Sequence, residues 1–391
     1  MVSIELSPGR ERRVLSGHPW IFSNEIAKIS GDREPGATAE IFAASGKFLG
    51  TGYYNPHSLI AARLLSRSRI DIDSVAFYRE RLRQALALRR SLYPDLATFR
   101  LVHGEGDFLP GLVVDKYGDY LSLQLLSFGM DARRDLIVEA LTELLSPAGI
   151  VARNDVAVRS LEGLNDRVEV LRGNIPDRIE IEEHGLTFQV SLLSGQKTGH
   201  FLDQKENHLL LKGIVAGKEV LDCFCYSGSW GVHAAAFGAT HVTCLDISER
   251  AIGLARENGA RNNVAGRMEF QTVDVFERLR SLHGEGRLFD VIVLDPPAFV
   301  KSKKALKEAE KGYLTINRRA MELLRPGGFL ITCSCSFHMG RELFTDLLRG
   351  AAIQARREFR LRSVHSQAPD HPVLLAVPET EYLKCCVLQA V

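Results

Sequence analysis

Short apolar runs in the C-terminal half of this chain end repeatedly in an acid. Val220-Leu221-Asp222, Val242-Thr243-Cys244-Leu245-Asp246 and Val291-Ile292-Val293-Leu294-Asp295 each read as a strand closed by a carboxylate, and Asp274 follows the run Met268-Glu269-Phe270-Gln271. A fifth run, Phe329-Leu330-Ile331-Thr332-Cys333, leads into Ser334-Cys335-Ser336. Carboxylates gathered at one edge of a sheet accept hydrogen bonds from hydroxyl and amino groups, and a thiolate beside them can add to an electron-poor carbon.

The first acid opens the loop Asp222-Cys223-Phe224-Cys225-Tyr226-Ser227-Gly228-Ser229, and a helix is predicted from Trp230 to Phe237. Gly228 suits a point where backbone must pass close to a ligand. The loop is neither Gly-X-Gly-X-X-Gly nor Gly-X4-Gly-Lys-Ser, so dinucleotide and NTPase readings are weak. Asp246 lies 24 positions after Asp222, near the offset at which an acid holds ribose hydroxyls. Asp274 is placed to meet an adenine amino group. Each of these acids could instead cap the helix that follows it, but three at successive strand ends favour an adenosine ligand. Two prolines stiffen Asp295-Pro296-Pro297-Ala298-Phe299, so that Asp295 and nearby carbonyls can be held against a flat base. Together these strand ends give the pattern of S-adenosylmethionine-dependent methyltransferases. The candidate cofactor-binding residues are Asp222, Phe224, Ser227, Gly228, Asp246, Asp274 and Asp295.

Cys333 and Cys335 suggest covalent catalysis. Carbon 5 of a pyrimidine is a poor nucleophile, and a thiolate added to carbon 6 makes it enolate-like. Small buried packing is the alternative for both thiols, and it is the expected state of Cys385 and Cys386 in the last predicted strand. All seven cysteines fall at or after residue 223, and an odd, clustered count is not a disulfide framework. The Cys-X-Cys spacing is tighter than structural zinc prefers, so no metal is expected.

The elements that must position these groups are legible from periodicity. Residues 186–391 alternate strand and helix, which means a doubly wound parallel sheet with helices on both faces. Residues 1–72 read as short strands broken by turns such as Ser7-Pro8-Gly9 and Glu34-Pro35-Gly36, suggesting a small β-barrel. Residues 73–185 form a small central α+β domain. It opens with a helix over 74–93, whose arginines, Arg89 among them, are read as a solvated face. It contains a hairpin around Tyr117-Gly118-Asp119 and a helix over 131–145. The 391 residues carry 49 basic and 48 acidic groups. That balance rules out a uniformly basic coat, so any RNA contact must be local. No apolar run approaches the roughly 18 residues that span a bilayer, and no export signal is read, so a cytoplasmic protein is expected.

Longer motifs carry a resemblance over essentially the whole chain. Gly17-His18-Pro19-Trp20-Ile21-Phe22, Glu105-Gly106-Asp107-Phe108-Leu109-Pro110-Gly111-Leu112-Val113-Val114-Asp115, Glu182-Glu183-His184-Gly185 and Gly195-Gln196-Lys197-Thr198-Gly199-His200-Phe201-Leu202-Asp203-Gln204 are similar to segments of the RlmI-type cytosine-C5 methyltransferases of large-subunit ribosomal RNA. The family usually has Phe and Arg where this chain has His200 and Lys205. The resemblance implies three parts. An N-terminal PUA-like β-barrel binds RNA, the central domain ends in a β-hairpin over 182–185, and the C-terminal part is a Rossmann-like class I methyltransferase sheet. It also implies S-adenosyl-L-methionine as cofactor, with Lys197 and Thr198 in the segment that covers it, and 23S ribosomal RNA as partner; a homodimer is left open. Cys335 is the implied nucleophile, with Cys333 the second choice and Asp295 bonded to the cytosine edge. Arg63, Arg67 and Arg69 are candidate phosphate contacts. Guanine-N7 methylation, which needs no thiolate, and an RNA-binding module without activity are the rival readings.

Overall fold

A computed structural model describes residues 1–299, 306–336 and 338–391. The chain divides into two compact units. The first comprises Met1–Ile181, Val190–Leu202 and Pro369–Thr380, and the second Glu182–Gln189, Asp203–Ala368 and Glu381–Val391.

The first unit holds two sheets. Six strands between Val2 and Ser66 form one of them, with Val2–Leu6 parallel to Thr38–Phe42 and the other pairs antiparallel. Val2, Ile4 and Leu6 alternate into its core with Ala39 and Ile41, the period-2 burial of a strand with one dry face. The second sheet has five strands between Thr98 and Gly173. Helices Val75–Leu92 and Arg134–Leu145 pack on it through Leu82, Ala85, Leu86, Ile137, Ala140 and Leu141. The predicted hairpin is present, with Tyr117 paired to Tyr120 across a Gly118 at φ 58°.

Two arginine readings are corrected here. Arg89 is not on a solvated face. It shares the apolar stripe of Leu82, Ala85 and Leu86, is fully buried, and forms a two-pronged ion pair with Asp107 while donating to the carbonyls of Arg100 and Asp370. Arg63 is not available to phosphate, because it is buried against Glu162 at 2.8 Å, and Asn55, Ser58 and the Phe128 N–H also donate to that carboxylate. Arg67 and Arg69 are exposed, although Arg69 bonds Glu40 at 3.0 Å and lies over the Phe48 ring.

The second unit is the doubly wound sheet. Its strands are β1 (Glu219–Cys223), β2 (His241–Asp246), β3 (Met268–Thr272), β4 (Phe289–Leu294), β5 (Leu324–Ser334), β6 (Phe359–His365) and β7 (Lys384–Ala390). Their spatial order is β3-β2-β1-β4-β5-β7-β6. The first five are parallel, and β7 runs antiparallel to both β5 and β6. The helices are α1 (Ser229–Ala236), α2 (Glu249–Arg261), α3 (Val275–Gly284), α4 (Leu306–Glu322) and α5 (Arg341–Ala355). Ile292, Leu294 and Leu330 join the core built by α3, α4 and α5, while Val291, Val293 and Ile331 are buried on the opposite face. Burial on both faces is why these strands read as unbroken apolar runs. On that opposite face Gly231 lets α1 lie against the sheet, since a Cβ there would come 2.6 Å from Cys244 Sγ.

A hairpin of strands Ile179–Glu183 and Leu186–Val190 turns at His184 and Gly185, both at positive φ as a two-residue turn requires. Its second strand is bound to α2 by two asparagines one turn apart. Asn262 pairs with both backbone groups of Thr187, and Asn258 accepts from the Gln189 N–H at 2.8 Å.

Candidate active site

The carboxyl ends of β1, β2, β4 and β5 carry most of the residues singled out from the sequence. Beyond β1 the chain coils tightly, with Phe224, Tyr226 and Gly228 all at left-handed φ. For the two aromatic residues this conformation is strained, and such strain persists where the surroundings over-determine it. Gly228 has a further reason to be glycine, because a Cβ would lie 2.9 Å from that of Ala255 on α2. Asn258 ties the same loop to α2 by donating to the Ser227 carbonyl at 2.9 Å.

Asp222 and Asp246 are not helix caps. Asp222 is fully buried and accepts the Gly231 N–H at 2.9 Å, and burial pushes its carboxyl up to about 8. Its other oxygen, Oδ1, has no hydrogen-bond partner among the described residues. An orphaned buried acceptor beside a glycine loop is what a ligand's ammonium or hydroxyl would satisfy. Asp246 accepts the N–H of Tyr226 at 3.0 Å and of Ser248 at 2.9 Å, so it joins the loops after β1 and β2. Ser248, not Asp246, caps α2. Asp274 is a cap: it accepts the Glu277 N–H at 3.0 Å at the start of α3. Ser227 is buried with its hydroxyl 3.3 Å from that of Ser229. Phe224 begins a run of edge and tilted aromatic contacts through Phe276 and Phe299 to Tyr313.

Asp295, at the end of β4, accepts from Gln204 Nε2 at 3.0 Å and from Trp230 Nε1 at 3.1 Å. Asn207 in turn donates to Gln204 Oε1 at 2.7 Å. The carboxylate is therefore aimed by a small network. The two candidate cysteines differ sharply. Cys333 is fully buried opposite Cys385 in the ladder, and burial holds its thiol well above the ordinary range. Of the seven cysteines, six are buried, and Cys335 alone is partly exposed, one residue beyond β5. Tyr313 of α4 accepts from the Ser334 hydroxyl at 3.0 Å, and burial raises its phenol to about 12. Lys384 of β7 donates to the Ser336 carbonyl at 2.6 Å.

Lys197 and Thr198 belong to the first unit. Thr198 is buried there, bonded to Asp115 and to the Tyr117 hydroxyl, and the Lys197 ammonium lies 4.3 Å from the Phe201 ring centroid. Sequence reasoning gave no role to Gln204, Trp230, Tyr313 or Lys384. The only signal for Lys384 was a lysine opening a largely apolar final strand.

The comparisons with known proteins agree with this architecture. A PUA-like domain matches residues 4–67, and an S-adenosylmethionine-dependent methyltransferase family matches residues 164–362. Ribosomal RNA large subunit methyltransferase I of Shewanella frigidimarina is 41% identical over 98% of both chains, and that of Pseudoalteromonas atlantica is 40% identical over 97% of both. The chain belongs to this methyltransferase I family. Its cofactor is S-adenosylmethionine, and the loop after β1 with the buried acid Asp222 fits that group. A crystal structure of SMU.776 complexed with SAH shares the fold of this chain, with a TM-score of 0.87 at 22% identity and full coverage of both chains. A second structure, from Streptococcus mutans, gives 0.86 at 23% identity, again over the full length of both.

Proposed function

We propose that this protein methylates carbon 5 of a cytosine in 23S ribosomal RNA through a covalent bond to Cys335, and that it works in the cytoplasm. The observation that carries the reading is the half-exposed Cys335 at the sheet edge that also presents the aimed carboxylate of Asp295. S-adenosylmethionine supplies an electrophilic methyl group. The Cys335 thiolate adds to carbon 6 of the flipped-out base, placing electron density on carbon 5, while Asp295 holds the cytosine edge. Once carbon 5 carries the methyl group, it loses its proton to a base, and the carbon–sulfur bond breaks to return the thiolate and the aromatic ring. Cys333 takes a packing role, consistent with its buried, protonated thiol.

Asp222, Phe224, Ser227, Gly228 and Asp246 hold the cofactor in this reading, with Asp274 beside the adenine through the oxygen not used in capping. The family resemblance adds Lys197 and Thr198 as candidates, both in the first unit. The segments 1–72 and 73–185 act as separate domains that bring structured RNA to the catalytic part, 186–391. No helix among the described residues is long and apolar enough to cross a membrane.

Incubation with ribosomal RNA and labelled S-adenosylmethionine, followed by nucleoside mass spectrometry, should yield 5-methylcytidine. Labelled 7-methylguanosine would overturn the cytosine assignment, and no labelled product in the presence of bound cofactor would indicate a binding module. Asp246→Ala should weaken S-adenosylmethionine binding, because it removes a charged acceptor for ribose hydroxyls. Hydrogen bonds to charged groups contribute about 1.5–3 kcal/mol, or roughly ten- to 150-fold in affinity. Calorimetry on the folded variant measures this directly, and unchanged affinity would remove Asp246 from the cofactor site.

A further inference from the structure

Just past β5 the chain turns through Cys335 and Ser336, and a buried cation is fixed beside that turn. Lys384 opens β7 directly opposite Ser334, as Cys385 stands opposite Cys333. Its ammonium is nearly excluded from solvent and donates to two carbonyls, Ser336 at 2.6 Å and Tyr382 at 2.8 Å. Lysine normally keeps its charge in water. Here the charge is instead held by two backbone oxygens, that of Ser336, the residue that follows the proposed nucleophile, and that of Tyr382. Carbonyl bonds orient an ammonium without neutralising it, so its field stays available to a neighbouring anion.

We infer that Lys384 is a positioning residue for the cysteine chemistry: its fixed ammonium stabilises the thiolate of Cys335, and its bond to Ser336 sets the turn that presents the sulfur. The inference rests on the thiolate reading of Cys335. The surrounding groups make a cation necessary. Asp295 at the end of β4 places negative charge at the same sheet edge, which opposes a second anion there. Tyr313 on α4 stays neutral, its phenol raised by burial and bonded to Ser334. Arg341 acts on Cys386 of β7. Burial pushes Lys384 down to about 8, while negative charge on Cys335, then Glu381 and Cys386, favours its protonated form. That influence is mutual, because whatever a thiolate does for the ammonium, the ammonium does for the thiolate. The ion pair exists where Lys384 is still protonated and Cys335 has already lost its proton to solvent. Removing the cation must move the thiol's titration upward in pH.

The test is the pH profile of Cys335 alkylation by iodoacetamide in the full chain, read by peptide mass spectrometry. An opposite charge a few ångströms away lowers a thiol's pKa by about one to three. Lys384→Met should therefore raise the alkylation midpoint by about one pH unit or more and slow alkylation near neutrality about ten-fold. Single-turnover methylation should show the same upward displacement, with S-adenosylmethionine affinity unchanged by calorimetry. Lys384→Arg, which keeps the charge, should restore most of the parental profile. If Lys384→Met fails to fold, Lys384→Gln can still donate to the Ser336 carbonyl and carries the same expectation. An alkylation profile identical to that of the parent in a folded neutral variant would overturn the inference. Full activity of Cys335→Ala would instead overturn the thiolate reading, so the two failures are distinguishable.

Discussion

Cys335→Ala is expected to abolish methyl transfer while leaving S-adenosylmethionine affinity nearly intact, because a thiol on the base side of the site does not hold the cofactor. Cys333→Ala should keep measurable turnover, since its sulfur is packed opposite Cys385 and held protonated by burial. RNA carrying 5-fluorocytosine at the target should trap a covalent adduct, because fluorine cannot leave as the proton does. The adduct should form with Cys333→Ala and fail with Cys335→Ala. The reverse pattern would move the nucleophile to Cys333. Full activity in both variants would refute the covalent route and favour guanine-N7 chemistry.

Asp107→Ala should be the most damaging single change to the stability of the first unit. Arg89 is fully buried and spends its guanidinium on Asp107 and the carbonyls of Arg100 and Asp370, while Asp107 also accepts the His103 N–H at 2.6 Å. Truncating the acid strands a charge in the core, which costs about 3–5 kcal/mol. A domain's whole stability is only about 5–15 kcal/mol. Urea unfolding should show a large fall in midpoint with little change in slope. Glu80→Ala, which breaks the exposed pair with Arg83, should shift the midpoint only slightly, because solvent screens such a pair. A loss of that small size for Asp107→Ala would show that the buried pair contributes little.

The parts of the protein that the sequence displays are those governed by local rules. Parallel strands buried on both faces announce themselves as apolar runs, and an acid at their ends marks the edge where ligands bind, which is how Asp222, Asp246 and Asp295 could be picked out. The capping alternative needed coordinates, since Asp274 is a cap while Ser248 relieves Asp246 of that role. Groups whose partners lie far along the chain were illegible. Gln204 meets Asp295 at a separation of 91 residues, and Arg63 meets Glu162 at 99. No window of sequence contains both members of either pair. Arg89 was legible in principle, one turn on from Ala85 and Leu86 and two from Leu82, but arginine's usual preference for water argued the other way.

The position of β7 bears on how the protein comes into being on a ribosome. It is made after β6 yet lies between β5 and β6, and among the described residues β7 is the only strand beside β6 in the sheet. Nascent chains fold from the N-terminal side as they emerge, so β1 to β5 can assemble while the outer edge of the sheet waits. The electrostatic setting of Cys335 is therefore the last part of the site to mature, because Lys384 arrives with β7. A chain still being synthesised would carry a cofactor loop already shaped, while the Lys384 ammonium had yet to reach the turn after β5.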